Sequence, residues 1–504
     1  MKKAMLQYPA PVYPERIEEV STIDQLVPYA RRALQRTSGR GELGTMKPGE
    51  RVLLIAPPGQ DRLVLEAIMA VFKEKGIEVA SIGEEEVAGI PRERLSKQDQ
   101  RDGWVEVYWR DEIVRILGIE KRTLIEVKWY LEGFFDRHPE YVKQYDKIVV
   151  GAGGRRFHRI AMGKYGSKFG GTWVYDSPEA LQSKSDAFPS DVFSLIERKV
   201  LEPLDRVSEV RITDPQGTDV SFSVSPEEAK VWRAAQPLPG HLLMYPFHSQ
   251  LALDSDPVLS SLKAKFVADG FNTKARHTTA EGVIAGTANH TGYFPHMRTY
   301  LRQGQVYKVE GGGKFGDLVR EILEATKNTW YPGYPRPGYL YLMEIALGTG
   351  PKFIRRRVDM RRGGYPLFIN SYERQRSGVL HWGIGLDDFD PDFIKYAKGD
   401  NLPKNHMGHA GHTYFNTIEV KLRDTDERLK IVDKGHLTAL DDPEVRSLAG
   451  RYGDPDDILN EEWIPAIPGI NYPGNYMEDY GRDPAEWVRK EIEEELPATI
   501  GVPK

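Results

Sequence analysis

Four short apolar runs in this chain of 504 residues each carry one side chain for which an apolar strand has no ordinary use. They are Pro239-Gly-His241-Leu-Leu-Met-Tyr-Pro246, Tyr339-Leu-Tyr-Leu-Met-Glu344-Ile-Ala-Leu-Gly348, Gly378-Val-Leu-His381-Trp-Gly-Ile-Gly385 and Gly411-His412-Thr-Tyr414-Phe-Asn-Thr-Ile-Glu-Val-Lys-Leu422. Length and composition read these runs as β-strands. An unpaired carboxylate buried in such a strand costs several kcal/mol or more, so each needs a partner. Nine of the twelve histidines fall between His241 and His412, which concentrates the chemistry in this part of the chain. A metal ion is the partner that answers all four runs together.

The alternation of a strand puts Glu344 on the face of Leu342 and Ala346. Arg355, Arg356 and Arg357 stand close in sequence and offer a structural salt bridge as the competing account. His381 shares its face with Val379, Gly383 and Gly385, and the glycines leave room for something to approach its ring. A straight strand through 411–422 turns His412 and Tyr414 inward with Ile418, Val420 and Leu422. Any one of these histidines alone is more often a satisfied core residue than a ligand; three of them with a buried glutamate reverse that preference.

The pattern along the chain predicts an α/β N-terminal domain followed by an α+β metal-binding domain. Residues 1–44 read as an N-terminal extension. Arg51 to Pro57 is a short buried strand, Asp61 to Lys75 has helical spacing through Leu63, Leu65, Ile68 and Phe72, and Ile77 opens a second strand, making a β-α-β unit. Asp146 to Val150 is a parallel-type strand ending in Gly151-Ala-Gly-Gly154, which lacks a full dinucleotide or Walker signature and reads as a plain turn. The domain spans 45–195, with an insertion near 92–122 that has strand character at Val105 to Trp109. From 196 to 450 strands alternate with tight turns, beginning with a hairpin over Val207 to Val224 around Asp214-Pro-Gln-Gly217. Residues 451–504 form a C-terminal extension, irregular from Trp463 to Tyr480 and helical from Asp483 to Glu495.

Composition narrows the chemistry. There is no cysteine, so disulfides, thiolate-bound zinc and thiol catalysis are all excluded, and a metal must be held by His, Asp, Glu or Tyr. With 69 basic against 74 acidic residues, nothing in the net charge of -5 draws the chain to nucleic acid or an anionic membrane, and a small-molecule substrate is the simpler reading. The first residues lack the apolar stretch of a signal peptide, and no run approaches 18 apolar residues, which predicts a cytoplasmic protein.

In order along the chain, Lys47-Pro-Gly-Glu-Arg-Val-Leu, the hairpin near 207–224, Leu238-Pro-Gly-His-Leu-Leu-Met-Tyr-Pro246, Met343-Glu-Ile-Ala-Leu-Gly348, Gly378-Val-Leu-His-Trp-Gly-Ile-Gly385 and Gly411-His-Thr-Tyr414 resemble the M29 aminopeptidases of the aminopeptidase T type. That superfamily includes the 2,5-dihydroxypyridine 5,6-dioxygenases. The resemblance covers roughly 45 to 450 and is better from 200 onward. It implies homodimers and, in the aminopeptidases, two metals held by two glutamates, two histidines, a tyrosine and an aspartate. Glu344, His381 and His412 occupy ligand positions of the family. The chain departs from the pattern at His241, where the family has its first glutamate, and at Tyr414, where the family reads His-x-Asp. The family tyrosine falls near Asp388.

Both departures remove carboxylates, which a two-metal site needs to offset a charge near +4. The remaining set, His241, Glu344, His381 and His412, suits one divalent ion. Iron(II) is the first choice by donor type, with manganese, cobalt, copper and zinc compatible. The function read from this is ring opening of a hydroxylated aromatic or N-heteroaromatic compound by a mononuclear dioxygenase. The alternative is an M29-type aminopeptidase or amide hydrolase acting on short peptides, and a third reading is a non-catalytic binding protein. Tyr414, His296 and His409 are the candidates for moving protons, with His290 and His406 as spare histidines. Tyr293, Trp382, Arg298 and Arg336 are the candidates for holding an aromatic acid. Glu310-Gly-Gly-Gly-Lys-Phe-Gly316 before a helix from Asp317 to Ala325 has the look of an anion cradle, but the resemblance implies a plain turn there.

Overall fold

The computed structural model describes residues 7–14, 20–35, 43–56, 60–87, 89–90, 93, 105–107, 124–126, 130–150, 168–172, 175–226, 229, 240–244, 279–289, 292–330, 336–355, 373–385 and 409–493. The chain divides into two compact units. Met1–Pro14, Pro189–Ile354 and Tyr372–Lys504 make the larger, and Glu15–Phe188 with Arg355–Ser371 the smaller.

In the smaller unit the apolar run Arg51–Ala56 forms strand β1, buried along nearly its whole length as a central parallel strand requires. Asp61 caps the following helix, Arg62–Glu74, by accepting the Val64 N–H at 3.0 Å. That helix buries Val64, Ala67, Ile68, Val71 and Phe72, and Gly76, at φ 73°, turns the chain into β2 (Glu78–Gly83). β1 and β2 pair in parallel, as the helical spacing between them predicts. β3 (Val105–Val107) and β4 (Leu124–Glu126) form a separate parallel pair in and beside the expected insertion, while β5 (Lys147–Val150) and β6 (Phe169–Thr172) complete a sheet of order β2-β1-β5-β6. The Gly151-Ala-Gly-Gly154 turn lies outside the described residues.

The larger unit opens with the expected hairpin, β7 (Val207–Asp214) and β8 (Thr218–Ser223). There follow β9 (His241–Leu243), β10 (Glu281–Asn289), β11 (Gly292–Arg302) and β12 (Gln305–Gly311). A helix, Gly313–Thr326, begins four residues before its predicted start, because Gly311, Gly312 and Gly313 all adopt positive φ and turn the chain at once. β13 (Leu342–Gly348), β14 (Leu380–Ile384), β15 (His409–Thr413), β16 (Thr417–Leu422), β17 (Arg428–Asp433) and β18 (His436–Leu437) complete the unit. One sheet has the order β12-β11-β10-β8-β7-β16-β17-β18 and the other β15-β14-β13-β9. Gly286 on β10 lets the two approach closely, since a Cβ there would lie 3.3 Å from the His412 carbonyl oxygen.

One expectation is corrected. Residues 411–422 are not a straight strand: the chain leaves the four-stranded sheet after Thr413 and enters the eight-stranded sheet at Thr417. Asn416 makes the break. Its Oδ1 accepts the Thr413 hydroxyl at 2.7 Å, and its amide donates to the carbonyls of Gly378 at 3.1 Å and Thr413 at 2.9 Å. Such side-chain bonds compete with the ladder, so the alternation restarts and Tyr414 belongs to the corner rather than to a strand face.

The segment after residue 451 is largely irregular from 463 to 475, as its Pro- and Gly-rich sequence predicts, but several of its side chains are buried. Trp463, Ile464, Ala466 and Ile467 are buried, Tyr476–Gly481 is a π-helical turn, and Pro484–Glu493 is a helix. Val12 and Ile464 exchange backbone hydrogen bonds of 3.0 and 2.9 Å, which ties the first described segment to this one. Among the described residues no helix is long and apolar enough to cross a membrane.

Candidate metal centre

The register of the four-stranded sheet assembles the site. His381 on β14 stands opposite Ala346 on β13 and opposite His412 on β15, while Glu344 stands opposite Gly383. Directly paired residues share a face, so the two imidazoles lie side by side with Glu344 diagonal to them. His412 Nε2 is 3.1 Å from His381 Nδ1, and one of these nitrogens donates to the other. His381 Nε2 is 3.6 Å from Glu344 Oε2. Gly383 is what allows this: a Cβ on it would come within 2.8 Å of Glu344 Cβ and 3.3 Å of Oε2. The space beside His381 that the glycine run predicts is therefore filled at Gly383 by the glutamate itself.

A second carboxylate, which sequence reasoning missed, completes the row. Glu373 begins the 3₁₀ turn Glu373–Gln375 that leads into β14, and it is fully buried. Its Oε1 accepts the Tyr414 hydroxyl at 2.8 Å and stands 3.9 Å from His412 Nδ1, and its Oε2 accepts the Tyr293 hydroxyl at 3.4 Å. The stretch Tyr372-Glu-Arg-Gln-Arg376 has no apolar periodicity, and nearness to the Gly378–Gly385 run was its only signal.

Glu344, His381, His412 and Glu373 thus run as a chain of carboxylate, imidazole, imidazole and carboxylate, each group 4 % exposed or less. Burial pushes both imidazoles well below their ordinary pKa, with Arg374 acting in the same direction and the two glutamates opposing it. Both rings are therefore neutral at pH 7, the form that binds metals.

The donor chemistry fits a divalent ion. Gaps of 3.6 and 3.9 Å between ring nitrogen and carboxylate oxygen exceed a hydrogen bond, but match the roughly 3–4 Å between two donors that share an ion at bonds of about 2.1 Å. Among the described residues, no three of these groups are gathered around one point. The His241 backbone lies opposite Gly348, four residues along β13 from Glu344; its side chain, like that of His409, lies outside what the structure describes. The same holds for His290, His406 and the segment around Asp388.

The remaining candidates divide. Tyr414 and Tyr293 join the chain through Glu373. Trp382 is fully buried, its indole N–H donated to Thr413 Oγ1 at 2.9 Å. His296 Nε2 lies 2.8 Å from the Gln216 carbonyl, with its ring against Tyr476, and none of its described contacts is with the four-group chain. Arg298 is exposed near Gly217, and Arg336 donates to the side chain and carbonyl of Gln303.

No family model matches this chain, and no curated protein matches it. Two solved structures are similar to it: a 2,5-dihydroxypyridine dioxygenase from Pseudomonas putida KT2440, 11% identical over 83% of this chain and 98% of that one with a TM-score of 0.39, and wild-type AmpT from Thermus thermophilus, 14% identical over 82% and 99% with a TM-score of 0.37.

Proposed function

We propose that this chain is a metal-dependent enzyme whose divalent ion draws its ligands from Glu344, Glu373, His381 and His412, with His241 as a further ligand. The observation that carries this is the buried pair of neutral imidazoles, each with a carboxylate oxygen 3.6 or 3.9 Å from its outer nitrogen, wider than a hydrogen bond. When bound, the ion supplies Lewis acidity and, as iron(II), electrons for dioxygen.

The reaction we favour is opening of a hydroxylated aromatic or N-heteroaromatic ring. Two imidazoles with a carboxylate are the donor pattern of non-haem iron oxygenases. Both atoms of dioxygen enter the substrate as one ring carbon–carbon bond breaks, so the substrate supplies the four electrons and no reductant is needed. The Tyr414 hydroxyl donates to Glu373 Oε1, which holds its proton ready to pass to a substrate oxygen. Tyr293, on the other oxygen of Glu373, orients that carboxylate and borders the substrate. The depth of the chain keeps water from the reacting groups.

A specific observation supports a second reading. Glu373 restores a carboxylate that the sequence motifs lack, and a hydrolase of peptides or amides gains from the added negative charge. The two are separated by one set of measurements. Metal-free protein is reloaded with iron(II) or zinc(II), and oxygen uptake with hydroxylated pyridines and benzoates is compared with anaerobic release of amino acids from short peptides. Ring opening requires uptake with iron alone; full activity of the zinc form removes it, because zinc has no redox chemistry.

A further inference from the structure

Arg376 is the most deeply buried arginine or lysine among the described residues, its side chain 1% exposed. Nη1 donates to Glu461 Oε1 at 3.1 Å, and Nη2 donates to the Tyr414 carbonyl at 2.9 Å. Glu461 also accepts the Ser377 hydroxyl at 2.6 Å. The Arg376 guanidinium lies over the Trp463 ring, and the same ring meets Tyr414 edge-on with centroids 6.0 Å apart. Arg376 and Glu373 belong to one turn, since the Arg376 N–H donates to the Glu373 carbonyl at 3.1 Å. One short turn therefore grips Tyr414 at both ends, its hydroxyl through Glu373 and its carbonyl through Arg376.

We propose that Arg376, clamped by Glu461 of the C-terminal segment, is a positioning residue that sets Tyr414 and Glu373 against His412, and so tunes the affinity of the centre for its metal. The inference rests on the reading of a metal centre above. A guanidinium this deep needs a paired anion, and Glu461 meets the need from a segment whose neighbours anchor independently: Lys352 Nζ donates to the carbonyls of Asp457 at 2.8 Å and Asn460 at 2.9 Å. The clamp is thus held from both sides, and its planar fork reaches Glu461 and Tyr414 together, which a lysine cannot do.

The test is calorimetric binding of Co(II) to the metal-free full chain, with the visible absorption of bound Co(II) as a reading of coordination geometry. Glu461→Gln keeps the shape of the clamp and removes its charge; it is expected to weaken Co(II) binding by about 10–100-fold, the range for residues that orient metal ligands, and to shift the absorption bands. Ser377→Ala removes one hydrogen bond to Glu461 and leaves the ion pair; it is expected to lower the metal-free unfolding midpoint modestly, while the chain stays folded, and to weaken Co(II) binding several-fold. Wild-type affinity and bands in a folded Glu461→Gln overturn the inference, as does wild-type binding by Ser377→Ala should Glu461→Gln fail to fold. Absence of Co(II) binding by the wild-type chain ends the metal reading itself and this inference with it.

Discussion

His381 and His412 face each other across β14 and β15 and share one proton between Nδ1 and Nε2 at 3.1 Å, so the tautomer of either ring dictates that of the other. Each ring has its second nitrogen turned to a different glutamate. A change at one histidine must therefore be felt at both carboxylates. His412→Ala is expected to lower metal affinity at least 100-fold and to destabilise the folded chain by about 2–4 kcal/mol, because Glu373 loses a buried neighbour and His381 a hydrogen bond. Calorimetric titration with Co(II) and urea unfolding measure the two effects; retained affinity would exclude His412 as a ligand.

Gly383→Ala tests the close approach of Glu344. The added methyl meets Glu344 Cβ at 2.8 Å, and the backbone at Gly383 is not in the left-handed region, so the cost is packing alone. We expect a loss of about 1–3 kcal/mol in urea unfolding together with at least tenfold weaker metal binding. A stable variant with unchanged affinity would show that Glu344 can move without consequence.

Tyr414→Phe deletes the hydroxyl that Glu373 Oε1 accepts at 2.8 Å. Loss of a hydrogen bond to a buried charged group is expected to cost about 1.5–3 kcal/mol. Turnover should fall with metal content unchanged if the phenol moves a proton, and kcat with metal stoichiometry separates that role from ligation.

Glu197, which accepts from the backbone just before His241, supplies a pH dependence of stability. Burial raises its carboxyl to about 7, against hydrogen bonds from the Gly240 N–H at 2.6 Å and the Thr349 hydroxyl at 3.1 Å, which pull it down. The folded chain therefore holds this proton more tightly than the unfolded chain, whose value is about 4.5. Its favourable contribution is complete below about pH 4.5 and is lost as the pH rises through about 7. Both donors meet Oε1, so Glu197→Gln keeps an acceptor in place. The variant is expected to be more stable than wild type at pH 8 by about 2–3 kcal/mol and equal to it near pH 4.5. Urea unfolding across that range measures it, and parallel stability curves would show that Glu197 does not titrate with folding.

Local patterns were readable in the sequence where they follow from spacing. The helix 62–74, the hairpin at Asp214 and the strands carrying Glu344 and His381 all lie where periodicity and turn residues put them. What failed to show were relationships made by side chains across distance. Asn416 ends a strand through bonds to Gly378 and Thr413, and a polar residue in an apolar run carries no mark of that role. Glu373 sits in a polar stretch that looks solvated, and only the closeness of Tyr414, Tyr293 and His412 reveals it as buried. Burial in the C-terminal segment was hidden for the same reason: Arg376 and Glu461 are ordinary surface residue types until they are found paired in the interior.

The bridge between Val12 and Ile464, reinforced by the Asn471 amide on the Pro9 carbonyl at a sequence separation of 462, joins stretches that leave the ribosome far apart in time. Since Trp463 beside that bridge also backs Tyr414, this corner can acquire its support only after residue 463 has been made. A nascent chain stalled before that point would carry the strands of the centre but not their backing, and would be exposed to proteases at the corner after β15.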